Sequence, residues 1–144
     1  MARLFPLAGL LRLRHLQQDK AAGDLAAANR RLKENAERRT RVRGALSGTP
    51  TDVDSTTALH AAVVARAASR SMLADLEALA VERLSERERT QAVFDAARAK
   101  SIGLEKLEDK HTAGVIAEDL HAEQTVLNEI ASVAWHRERN GESE

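Results

Sequence analysis

Cysteine is absent from all 144 residues, and with it go disulfide frameworks, thiolate metal sites and cysteine nucleophiles; the balance leans towards the cytoplasm. Tyrosine is absent too, and Phe5, Phe94 and Trp135 are the only aromatic side chains. The means of filling a wide core are therefore scarce. Only Pro6 and Pro50 interrupt the backbone, and no run rich in Val, Ile, Thr and Tyr signals a strand. The apolar run from Leu4 to Leu11 is followed at once by Arg12 and Arg14. A membrane-crossing helix needs roughly 20 apolar residues, and no small-residue cleavage site follows the run. The expectation is a soluble, intracellular, all-α protein.

What the chain does have is alanine, at 27 residues, and leucine, at 18. That mixture suits long helices packed through narrow seams. The formal net charge is zero, but its distribution is uneven. Residues 1–48 hold 11 basic and 4 acidic side chains, residues 49–100 hold 7 and 8, and residues 101–144 hold 4 and 10. A basic first part and an acidic last part favour antiparallel pairing of the two.

A first helix is expected over residues 7–43. Leu4, Leu11, Leu25, Leu32 and Leu46 share one seven-residue register with Gln18 and Arg39. Ala21, Ala28 and Val42 fall three residues after register positions, so the seam is small and tight in its middle. Gly44 is expected to stop this helix, after cations at Lys33, Arg38, Arg41 and Arg43 that suit its negative end. Residues 44–55, GALSGTPTDVDS, read as the connector, with Asp54 or Ser55 capping the next helix. That second, longer helix is expected over 56–138, with Gly103 and Gly114 as candidate bends and 139–144 as a frayed tail.

The strongest pattern lies late in this second helix. Ile116, Leu120, Glu123, Leu127, Ile130 and Ala134 recur at spacings of 4, 3, 4, 3 and 4, a seam built to meet another helix. A tight turn near residue 50 would exhaust the first helix near Val93 and leave this seam uncovered. Either residues 57–80 bend aside, so that the basic first helix reaches the acidic end, or the seam awaits another protein. The charge split favours the first arrangement.

Candidate chemistry is thin. Glu108 with His111 and Glu118 with His121 match the E-x-x-H spacing of di-iron bundles. The two copies lie roughly 15 Å apart along a helix and about 280° around it, so they cannot share one site. Solvated surface residues are the better account, and neither metal nor cofactor is expected. GALSGTP lacks the lysine and preceding strand of a phosphate loop. His15, His60, His111, His121 and His136 have no acid–base assembly beside them, and no enzyme is expected. The basic run from Arg30 to Arg43 lacks stacking aromatics, so nucleic acid is a minor alternative.

An N-terminus reading Phe5-x-Leu7-x-x-Leu10-Leu11-x-Leu13-Arg14, an Ala- and Arg-rich helix, a short break, a very long second helix and the ending EQTVLNEIA at 123–131 together resemble the FliJ family of flagellar export proteins. The resemblance implies an antiparallel coiled coil of two long helices that inserts into the hexameric ring of the flagellar export ATPase and stimulates it. It further implies docking on the cytoplasmic domain of the export gate, handling of export chaperones, and a cytoplasmic location at the inner face of the membrane. By the same resemblance, Leu7, Leu11 and Leu16 with Leu120, Leu127 and Ile130 would contact the ring. Arg38, Arg39 and Arg41 with Leu59 and Val63 would contact the gate. A generic coiled-coil adaptor is the alternative.

Overall fold

The structure is a computed structural model that describes residues 3–141. Two α-helices account for nearly all of it, α1 over Ala8–Ser47 and the longer α2 over Thr56–Gly141. No strand occurs among the described residues. The chain is all-α, as the missing β-formers and the 3.5-residue periodicity required. It divides into two compact units. One runs Leu16–Arg98; the other combines the start of the chain through His15 with everything from Ala99 onward.

In the Leu16–Arg98 unit the two helices run antiparallel. Arg43 pairs with Glu77 at 3.4 Å, Arg31 pairs with Glu86, and the Arg87 guanidinium donates to Asn29 Oδ1 at 3.3 Å. These ion pairs are exposed and worth little each. The seam between the helices supplies more. On α1 its covered positions are Gln18, Ala21, Leu25, Ala28, Leu32, Asn35, Arg39, Val42 and Leu46, the seven-residue register read from the sequence. On α2 the covered positions step from Ala62 through Arg66, Ser69, Leu73 and Leu76, again by alternating fours and threes.

Asn35 lies inside this seam, 3% exposed, and its amide donates to the Leu76 carbonyl at 3.2 Å. Its Oδ1 is buried with no partner. A half-satisfied polar residue costs stability yet fixes which positions can face each other. Asn35→Leu is expected to raise the urea midpoint while loosening the alignment, read as shortened hydrogen-exchange protection on either side of Leu76; unchanged protection would deny Asn35 a register role.

Gly44 does not stop α1, which continues to Ser47. Burying Leu46 in the seam outweighs the roughly 1 kcal/mol that a helical glycine costs. The helix ends instead at Gly48 and Thr49 before Pro50, where Ser47 Oγ donates to the Arg43 carbonyl and Thr49 Oγ1 to the Ala45 carbonyl, each at 3.0 Å. The connector then folds back along α2. Arg66 donates to the Thr49 carbonyl at 3.3 Å, and Pro50, Thr51 and Val53 share a hollow with Leu59, Ala62 and Val63. Ser55 is the cap, its Oγ accepting from the Ala58 amide at 3.1 Å.

That folded connector removes the tight turn the sequence invited. A turn at residue 50 would set Arg31 opposite Ser69; it stands opposite Glu86. Residues 57–80 need no bend, because the connector lies along the first turns of α2 and α1 engages α2 further along.

In the other unit, the first residues run antiparallel to α2 beyond Ala99. His15 Nε2 meets Glu105 Oε1 at 2.8 Å, the Phe5 ring packs on His111 at 5.7 Å between centroids, and Arg3 pairs with Glu118 at 2.7 Å. Leu11, 6% exposed, and Ser101, fully covered, are its most buried residues. Gly103 and Gly114 stay within an unbroken helix, and an added Cβ at either meets nothing within 4 Å. Gly103→Ala and Gly114→Ala should therefore each stabilise by about 0.5–1 kcal/mol, seen as a higher urea midpoint at unchanged slope. Of the expected frayed tail, 139–141 is helical and 142–144 lie outside the described residues.

Candidate interaction surface

From Ile116 to Gly141 every described residue is exposed. The alternating register that α2 keeps on its covered side passes through Ser101, Leu104, Glu108 and His111 to Val115. Carried onward it would land on Glu118, Ala122, Thr125, Glu129 and Ser132, which are mostly polar. The apolar seam of Ile116, Leu120, Leu127, Ile130 and Ala134 runs alternately one and two residues later, a mean turn of about 150° around a helix. The two patterns therefore belong to different faces. The face α2 uses for internal packing loses its apolar residues just where a second apolar face begins.

The new face is broad. Leu120, Leu127 and Ile130 are 60%, 59% and 61% exposed, and Val126 and Val133 widen one flank at just over half exposed. Sequence reading named the central row and passed over Val126 and Val133. Their seven-residue separation, directly beside Leu127 and Ala134, was the available signal. Trp135 lies at the far end with the Arg139 guanidinium 4.4 Å from its ring centre, a contact that holds the exposed indole in place. The same unit also presents Leu4, Leu7, Leu10 and Leu13 as exposed side chains.

Leu7 is thus on the surface of the unit that carries Leu120, Leu127 and Ile130, whereas Leu11 lies inside its seam. Leu16, 66% exposed, belongs to the Leu16–Arg98 unit. So do the remaining candidates. Arg38 and Arg41 are exposed, while Arg39 is half-buried at a seam position, its Nε covered and without a partner. Leu59 and Val63 are exposed beside the connector. The structure does not bring Leu59 and Val63 to Arg38 and Arg41: the latter share a shallow hollow with Arg31, Glu34, Glu37 and Arg83, the former a separate one with Pro50 and Val53.

Carboxylates temper the basic stretch. Glu86 accepts from Arg83 Nη1 at 3.1 Å and from Arg31. The Arg83 hydrogen bond, with the two positive charges, holds its carboxyl below the usual range in spite of some desolvation. A depressed folded-state value gives stability that is present above the unfolded carboxylate's pKa and is lost as pH falls through the folded one. Glu86→Gln should therefore lose less stability than the parent chain when pH is lowered from 7 through roughly 4. Equal losses in parallel thermal melts would remove Glu86 from the acid response.

Glu118 is engaged by Arg3, and His111 faces Phe5. No group of three or more His, Cys, Asp or Glu stands together in a metal-holding arrangement among the described residues. Nor is any described helix long and apolar enough to cross a membrane. The fold and surface define a class: an antiparallel two-helix coiled coil carrying an uncovered apolar face. Against family models, curated proteins and solved structures, the chain finds no match.

Proposed function

We propose that this chain serves flagellar protein export in the manner of the FliJ family, as a stalk that binds the hexameric export ATPase and stimulates it. In that role it sits in the cytoplasm at the inner face of the membrane, docks on the export gate and handles export chaperones. The observation that supports the reading is the uncovered apolar face from Ile116 to Ala134, in the same unit as the exposed leucines at 4, 7, 10 and 13. Exposed apolar patches of this extent mark association sites. A stiff coiled coil that offers such a face acts by being gripped, and its mechanism is associative.

Mixing the full chain with purified export ATPase should raise ATP hydrolysis and the hexamer fraction together. If neither moves at saturating chain, the reading fails. Gate docking is assigned to Arg38 and Arg41, which are exposed and leave the seam intact when replaced. Arg38→Glu with Arg41→Glu should weaken binding to the gate's cytoplasmic domain about tenfold or more while the far-ultraviolet circular dichroism stays unchanged. Equal affinity in a titration would withdraw the assignment.

A further inference from the structure

We propose that the apolar face from Ile116 to Ala134 also pairs with the same face of a second copy of this chain, in antiparallel orientation. Three observations carry this. The first is its spacing. Alternating fours and threes place apolar side chains as knobs that fill holes on a helix of matching periodicity, and each copy supplies that periodicity. Because the row lies about 150° around α2 from the row that packs internally, a second copy can approach from the opposite side of the helix.

The second is charge. Asp119 and Glu123 lie near the start of the face beside Glu118, which Arg3 engages, and Arg137, Glu138 and Arg139 lie past its end with a net positive charge. Parallel pairing would stack Glu123 on Glu123 inside the seam and set acidic start against acidic start. Antiparallel pairing brings Arg137 of each copy towards the carboxylates of the other, removing the like-charge cost. Charge complementarity therefore selects the orientation as well as permitting the pairing.

The third is area. The exposed stretch from Ile116 to Gly141 spans about 39 Å of helix, and a contact strip about 10 Å wide covers roughly 400 Å² per copy. Twice that falls below the roughly 1,200 Å² of a stable interface. The dimer is therefore weak and exchanging, suited to a face that is surrendered to another partner. Self-pairing goes beyond the export reading, and either can fail alone, because one is measured without any ATPase present.

Sedimentation equilibrium of the full chain from roughly 5 to 500 µM should show the mass rising from 15.7 kDa towards twice that value. Leu127→Glu should stay monomeric throughout with unchanged helicity. Orientation is read by cross-linking, which the absence of native cysteine makes clean. Glu123→Cys on one copy and Leu127→Cys on the other, set opposite each other by antiparallel pairing about residue 125, should form a mixed disulfide dimer. Ile116→Cys should not, since its two copies would stand on the order of 30 Å apart. A monomer at every concentration overturns the proposal, as does dimerisation that Leu127→Glu leaves intact. Cross-linking through Ile116→Cys overturns the antiparallel pairing.

Discussion

Leu120→Glu, Leu127→Glu and Ile130→Glu, introduced together, should abolish stimulation of the export ATPase while leaving the thermal midpoint of the chain within a degree or two. The three side chains are about six-tenths exposed and lie off the covered register of α2. Their replacement therefore creates no cavity and strands no internal polar group, and surface changes of this kind usually fall within about 0.5 kcal/mol. At an interface the arithmetic differs. Each apolar side chain that leaves a covered site loses on the order of 1.5–3 kcal/mol of burial, and a buried carboxylate adds a desolvation cost. Three such changes should lower affinity by more than a thousandfold. A stimulated rate that survives would mean the ATPase is gripped elsewhere, and the leucines at 7, 10 and 13 would be the next surface to test. A collapsed melt would mean instead that the face is internal to the fold.

Alanine-sized positions in the seam carry the second large effect, and Ala28 is the most demanding of them. Ala28 is 1% exposed, between the half-buried Leu25 and Leu32 on the covered side of α1. Ala28 is already almost fully covered, which leaves no room for a larger side chain. Ala28→Phe forces the helices apart over more than one turn, and overpacking of this kind costs about 3 kcal/mol. Ala26→Phe, two residues away on the exposed side, should be nearly neutral and serves as the control. Urea unfolding followed by circular dichroism should separate the two variants clearly. Equal midpoints would show that α1 does not present the Ala21 and Ala28 side to α2. Leu76→Ala probes the opposite wall of the same seam, where loss of a covered leucine costs about 2 kcal/mol or more.

How much of this was legible in the residues varies along the chain. Most of the α1 seam was legible, since Leu11, Ala21, Leu25, Ala28, Leu32, Val42 and Leu46 occupy the covered positions their spacing assigned, whereas Leu4 on the same register is 89% exposed because it precedes the helix, and the buried Asn35 was passed over. The α2 seam was not. Its covered positions include Arg66, Ser69, Arg83, Arg87, Thr90 and Ser101, which no apolar periodicity would pick out. Long cationic stems can lie along the seam with their heads in water, and Arg66 reaches the connector at the Thr49 carbonyl. The strongest apolar pattern in the chain, at Ile116 to Ala134, turned out to be the one left exposed.

The sequence by itself determined that the chain would be helical, where the break between helices would fall, and which face of α1 would be covered, because local periodicity and turn chemistry act within a few residues. Only the tertiary structure decided how far the helices overlap. That depends on the connector lying along α2, held by Arg66 on the Thr49 carbonyl, a contact between groups 17 residues apart. The packing also left the apolar row at 116–134 open, because that row lies on a different side of α2 from the residues that are covered.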